Sequence, residues 1–185
     1  MSLRYALLGL LAQQAASGYD LAKAFEGPLG RYAWQAGHNR IYPELARLAE
    51  EGLIEVVAEG ARGRRSYALT AMGHAEFDSW MTTPQQRHAV RNELVLRLFL
   101  LPALEANDAR KLLRELAGSS AREADDIREM MASDPLDPSQ GKVPFGWLAA
   151  GFGLRNFEMV RDWALWALAE LDKVEHHTGA DATGP

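Results

Sequence analysis

Apolar residues recur at helical spacing near the start of the chain, where Leu3, Leu7, Leu8 and Leu11 mark one face of a first helix ending near Ala15. Ser17 is suited to cap a second helix, with either Tyr19, Ala22 and Phe25 or Leu21 and Phe25 turned inward, and Gly27-Pro28 closes it. Gly30 to Gly37 has no clear period and reads as a connector whose Trp34 closes a small core. A third helix is expected from about Asn39 to Glu51, with Ile41, Leu45 and Leu48 as its buried stripe and Gly52 just past its end. Proline fits only the first turn of a helix, so Pro43 places the helix start close before it. Leu53 to Val57 and Ser66 to Leu69 are β-prone runs around a Gly- and Arg-rich turn, Ala58 to Arg65, and predict a hairpin. Thr70 then caps a helix from Ala71 to about Met81, with Phe77 and Trp80 three apart.

At Thr82 to Gln86 the mixed pattern gives way to helix alone. Asn92 to Leu101 is apolar and helical, a long polar helix runs from Asn107-Asp108 to about Ala132, and Asp134 to Pro138 is a break. The last helix is expected from about Gly151 to His176. On it Phe157, Val160, Ala164, Ala167, Leu171 and Val174 alternate spacings of three and four, a heptad-like seam whose alanines admit a close partner. The seam suits packing within one chain or pairing between two; three helices are few to cover the apolar surface here, which favours a homodimer. The small, polar tail from Thr178 is expected to be disordered.

These elements predict a mainly α protein with a small β-hairpin. Residues 1–83 would form an N-terminal winged helix-turn-helix, residues 84–177 a C-terminal helical dimerisation domain, and residues 178–185 the tail. A short striped helix followed by a hairpin with the tip Arg62-Gly63-Arg64-Arg65 is the outline of a DNA reader. Arginines there reach phosphates or a narrow minor groove, and the glycine lets the backbone come close. On the third helix His38, Asn39, Arg40 and Tyr42 form the polar cluster that enters a groove; Asn39 and Arg40 suit adenine and guanine edges, and Tyr42 donates to a phosphate. Tyr67 and Lys23 complete the candidate contacts.

Charge makes any such contact local. The net charge is −5, and residues 1–83 hold eight Lys/Arg against nine Asp/Glu, so the cations act through their placement and not their number. With no cysteine, disulfides, thiolate zinc sites and cysteine redox sensing are excluded. The run from Tyr5 to Ala12 is too short to span a membrane and lacks the marks of a secretory signal, which points to a cytoplasmic protein. Five scattered histidines show no metal-ligand spacing, and neither a phosphate loop nor a nucleophile elbow is present, so no metal, cofactor or enzymatic activity is expected.

The chain resembles the PadR family of transcriptional regulators. The resemblance rests on Leu8-Gly9-Leu10-Leu11, Gly18-Tyr19-Asp20-Leu21, Ile41-Tyr42-Pro43-Glu44-Leu45 with Leu48, Glu51-Gly52-Leu53-Ile54, Gly63-Arg64-Arg65-Ser66-Tyr67 and Leu69-Thr70 with Gly73, in family order over residues 3 to 81. Asn92-Glu93 and the helices after Pro84 resemble the longer C-terminal domain of one subgroup. Ser66 departs from the basic residue that many relatives carry beside the wing tyrosine. The resemblance implies a dimeric winged-helix protein, usually a repressor, whose C-terminal helices pair and in some members hold a small-molecule effector; a regulator without a ligand is one alternative. Two reading helices related by a two-fold axis would then read an inverted-repeat operator. Trp147, Trp163 and Trp166 gather near the seam and offer flat surfaces to a small aromatic ligand, although aromatics at helical spacing also serve as core. The alternative function is a winged-helix module that binds protein, its arginines paired with an acidic partner and without specific DNA binding.

Overall fold

The computed structural model describes residues 2–27, 29–33, 36–60, 63–84, 92–133, 135, 139, 141 and 143–181. Two compact units divide the chain, Met1–His88 and Ala89–Pro185. Among the described residues, no helix is long and apolar enough to cross a membrane.

In the first unit, α1 (Ser2–Gln13) leads through a two-residue strand β1 (Ala16–Ser17) into α2 (Gly18–Ala24). A π-helical turn (Leu29–Ala33) precedes α3 (His38–Glu50), which is followed by β2 (Ile54–Glu59), β3 (Arg65–Leu69) and α4 (Ala71–Thr82). The three strands form an antiparallel sheet in the order β1-β3-β2, with a bulge between Val56 and Ala58. Ser17 is extended because it caps α2: its Oγ accepts from the Asp20 N–H while the Asp20 carboxylate accepts from the Ser17 N–H. The same residue pairs with Ser66 of β3. With only two residues, β1 carries no sequence period of its own, so the sequence predicts the hairpin alone.

Leu3, Leu7, Leu8 and Leu11 of α1 meet Leu21 and Phe25 of α2, Ile41, Leu45 and Leu48 of α3, and Leu53, Ile54 and Leu69 of the hairpin in one apolar core. Leu21, Ala22 and Phe25 face inward on α2; Tyr19, offered above as one of an inward set, is exposed. Trp34 lies outside the described residues. Helix α3 begins at His38, one residue earlier than expected, so Pro43 is its sixth residue and not part of its first turn. Pro43 leaves the Asn39 carbonyl without its helical N–H, which is tolerated because both residues are exposed. Gly52 ends the helix at φ 71°, a left-handed conformation that glycine adopts without penalty.

Thr70 ties the hairpin to α4. Its Oγ1 donates to the Gly52 carbonyl at 2.7 Å and accepts from the Gly73 N–H at 3.1 Å, while its own N–H reaches the Leu53 carbonyl at 3.1 Å. Residue 73 must be small here, since a Cβ would sit 2.0 Å from the Leu53 carbonyl oxygen. Farther along α4, Trp80 stacks on Tyr5 of α1 with ring centroids 4.5 Å apart, and the Tyr5 hydroxyl donates to Glu76 at 3.0 Å.

The second unit holds α5 (Glu93–Phe99), capped by the Asn92 side chain, a 3-10 turn (Leu101–Ala103), and two long helices, α6 (Ala106–Ser133) and α7 (Trp147–Asp181). The buried row on α6, Ala109, Leu113, Ala117, Ser120, Ala124 and Ile127, has heptad spacing and packs against α7. Arg110 pairs with Asp172 at 3.1 Å and Arg128 with Glu158 at 2.8 Å, an antiparallel pairing. Helix α7 begins at Trp147, four residues before the expected start, and runs through Asp181, so the segment from Thr178, expected to be a disordered tail, opens with four helical residues.

Candidate nucleic-acid interface

The first turn of α2 contacts both the start of α3 and the wing. Gly18 opens α2 under the ring of Tyr42 from α3: a Cβ on residue 18 would lie 2.7 Å from Tyr42 Cε1. On α3 the His38 ring lies near-parallel to Tyr42, 6.3 Å away, and its Nε2 is 3.9 Å from Glu26. Two positions past Gly18, Asp20 receives the wing. A single guanidinium nitrogen of Arg64, Nη2, donates to both Asp20 oxygens, at 2.9 and 2.7 Å. The Ser17 hydroxyl also donates to Asp20 Oδ2, at 2.6 Å. Asp20 is therefore held below the usual carboxylate range, first by the Ser17 hydroxyl and then by Arg64.

Of the sequence-derived candidates, His38, Tyr42 and Arg64 thus join through Gly18 and Asp20. Asn39 and Arg40 are exposed on the first turn of α3; the Asn39 side chain folds toward Gly37, and Arg40 makes no ion pair among the described residues. Lys23 is exposed in the last turn of α2. Arg65 pairs across the hairpin with Glu59 at 3.2 Å. Tyr67 stands apart: it is half-buried against the core, between Ala16 and Val56 in the sheet, so its ring supports the wing from within. Arg62 lies outside the described residues. Gly18 and Asp20 were not among the candidates. The Ser-x-x-Asp spacing signals a helix cap, but the return of Arg64 onto Asp20, 44 positions away, has no local signal.

In the second unit the proposed seam is turned inward. Ala164 is fully covered within the chain, and Gly153 on the same side of α7 lies against Ile127 of α6. Phe157, Val160, Ala167 and Leu171 are half-buried, and helical geometry puts them within about 60° of Ala164. The Val174 side chain lies outside the described residues. Helix α6 covers this face at Ala164, while Phe157, Val160, Ala167 and Leu171 keep part of their surface exposed. A different apolar row, Leu148, Phe152, Met159 and Trp166, is exposed on the far side of α7. Helix α5 likewise buries no residue and exposes Leu96 and Phe99, and Leu100 just past its end is exposed too. The candidate ligand tryptophans divide accordingly. Trp166 lies in the exposed row, Trp163 is half-buried, and the buried Trp147 Nε1–H has no acceptor among the described residues. Among the described residues no cluster of His, Cys, Asp or Glu is placed to hold a metal ion.

Residues 7–79 match the family model described as the transcriptional regulator PadR-like family, and residues 90–172 match that of the virulence activator alpha C-terminal region. The chain is 30% identical over 181 residues to the negative transcriptional regulator PadR of Bacillus subtilis, covering 92% of this chain and 98% of that protein. It belongs to the PadR-like family of transcriptional regulators. The fold agrees: the crystal structure of Bacillus subtilis PadR in complex with operator DNA superposes with a TM-score of 0.78 at 27% identity, over 92% of this chain and 99% of that one. The structure of the same protein in complex with p-coumaric acid gives 0.80 at 29% identity, over 93% and 99%. This PadR-like chain is thus a winged-helix regulator and not an enzyme, with the helical region of the longer subgroup.

Proposed function

We propose that this PadR-like regulator is a homodimeric repressor that reads an inverted-repeat operator through α3 and the wing, and that a small aromatic ligand releases it. The observation that carries the reading is that the first turn of α2 touches both reading elements, Gly18 lying against Tyr42 of α3 and Asp20 holding Arg64 of the wing, with His38, Asn39 and Arg40 exposed at the start of α3. Groove reading needs base-edge groups and phosphate-seeking cations at fixed separation, and the Gly18 and Asp20 contacts supply that fixity. The complex of Bacillus subtilis PadR with operator DNA supports the target, and its description as a negative regulator supports the sign. Residues 1–83 are then the reading domain and residues 84–177 the pairing and effector domain. A cytoplasmic location follows from a chromosomal target.

Support for the dimer comes from α5 and the outer row of α7, whose exposed Leu, Phe, Met and Trp side chains would be covered by a second copy. The effector reading draws on the p-coumaric acid complex of the Bacillus protein and on the buried Trp147 N–H, a donor suited to a carboxylate or phenol oxygen. An effector would act by favouring a dimer with wrongly spaced reading heads.

Fluorescence anisotropy of a labelled duplex from upstream of its own gene, against a scrambled duplex and across a salt series, tests the reading. Preference for the native duplex by about a thousandfold or more establishes an operator reader. Equal weak binding to every duplex, the native and those selected from random DNA alike, points to the protein-binding alternative.

A further inference from the structure

In a reader with a net charge of −5, a cation at the interface that is neutralised by the protein itself gains nothing from DNA until it is released. Arg64 is in that position. Its Nη2 is held by both oxygens of Asp20, and neither partner is buried, so phosphate oxygens have access to the same guanidinium. Asp20 is anchored where it stands, in the first turn of α2, by the Ser17 hydroxyl and the capping box. A phosphate oxygen that takes Arg64 Nη2 must therefore displace a carboxylate, and the carboxylate stays at the interface as a negative charge facing the backbone.

We infer that Asp20 is a specificity-determining residue, an internal competitor that occupies Arg64 and weakens binding to DNA lacking the operator sequence. This rests on the reading of the wing as a DNA contact. On scrambled DNA, backbone contacts supply nearly all the affinity, so the competition is felt in full. On the operator, base contacts by α3 hold the head in register, the phosphate near Arg64 is presented at fixed position, and the exchange is favoured. Asp20 thereby widens the ratio between specific and non-specific binding without touching a base.

The test measures anisotropy of the full-length protein on scrambled and operator duplexes over a potassium chloride series. Asp20→Asn keeps an oxygen for the cap but removes the charge. Relative to wild type it is expected to bind scrambled DNA several-fold more tightly, to steepen the slope of log affinity against log salt by about one, and to narrow the preference for operator. Asp20→Glu, which keeps the charge, should retain the wild-type slope. In an Arg64→Ala background, whose exposed wing substitution spares the core, Asp20→Asn should leave the slope unchanged. Melting curves of each variant exclude loss of fold as a cause. Wild-type slope and affinity in Asp20→Asn overturn the inference, as does weaker binding, which would make Asp20 only a support for the wing. If wild type binds no duplex, the functional reading falls and this inference with it.

Discussion

The ring of Tyr42 occupies the space that a side chain on Gly18 would need, with Cε1 2.7 Å from where that Cβ would be. The obstructing atom is the far end of an exposed side chain and not backbone, so Gly18→Ala should fold and push Tyr42 off its seat. The expected result is operator binding weakened about threefold to tenfold, the scale of one ordinary hydrogen bond of about 1 kcal/mol. Tyr42→Phe should show a similar loss, and the double variant no more than either alone, since both changes remove one contact. Full additivity in anisotropy titrations would separate the two residues and refute their coupling.

Gly73 answers to a harder constraint, because its forbidden Cβ would meet the Leu53 carbonyl oxygen at 2.0 Å. Backbone cannot swing aside as a tyrosine ring does. Gly73→Ala is expected to cost at least the about 1–3 kcal/mol typical of overpacking, by forcing α4 away from the hairpin and lengthening the Thr70 bonds. Leu48→Ala, which opens a cavity in the fully buried stripe of α3, should cost about 2–5 kcal/mol. Urea denaturation followed by circular dichroism measures both; a loss under 0.5 kcal/mol for Gly73→Ala would show that α4 shifts freely.

Periodicity exposed the interior of this protein well and its surface poorly. Ile41, Leu45 and Leu48, or the four leucines of α1, are set by a local repeat that one face of one helix must satisfy, and the structure buries all of them. The cap at Ser17 and the left-handed Gly52 are equally local. By contrast, the Asp20–Arg64 pair depends on where a hairpin folds back, and β1 exists only because β3 passes beside it. The seam on α7 shows the limit most clearly. Spacings of three and four identify a face that packs, but the identity of its occupant depends on the partner, and at Ala164 α6 supplies it within the chain.

Asp20 also gives the stability of the first unit a pH signature. Its carboxylate is held below the usual range by Ser17 and Arg64, so the folded state binds the proton less readily than the unfolded chain. The resulting stabilisation is complete above the ordinary aspartate pKa of about 3.9. It is lost as pH falls through the lower folded value. The melting temperature of wild type should exceed that of Asp20→Asn at neutral pH, and the gap should close progressively below about pH 4. A gap independent of pH would mean that the substitution acts through packing and not through charge.

The two faces of α7 make opposite predictions for assembly. Leu148, Phe152, Met159 and Trp166 repeat at spacings of four, seven and seven and are exposed, Phe152 by 75% and Leu148 by 67%. That is a heptad row without a partner among the described residues. Phe152→Glu with Trp166→Glu should therefore convert the proposed dimer to monomer at micromolar concentration in sedimentation velocity, with the α6–α7 hairpin still helical. Ala164→Leu acts on the inward face, where Ala164 is fully covered. It should lower the melting temperature at every protein concentration, because the extra bulk must fit between α6 and α7 and not between two chains. If Ala164→Leu dissociates the dimer while the Phe152/Trp166 pair leaves it intact, the inward seam is the true contact between copies and the outer row serves another purpose.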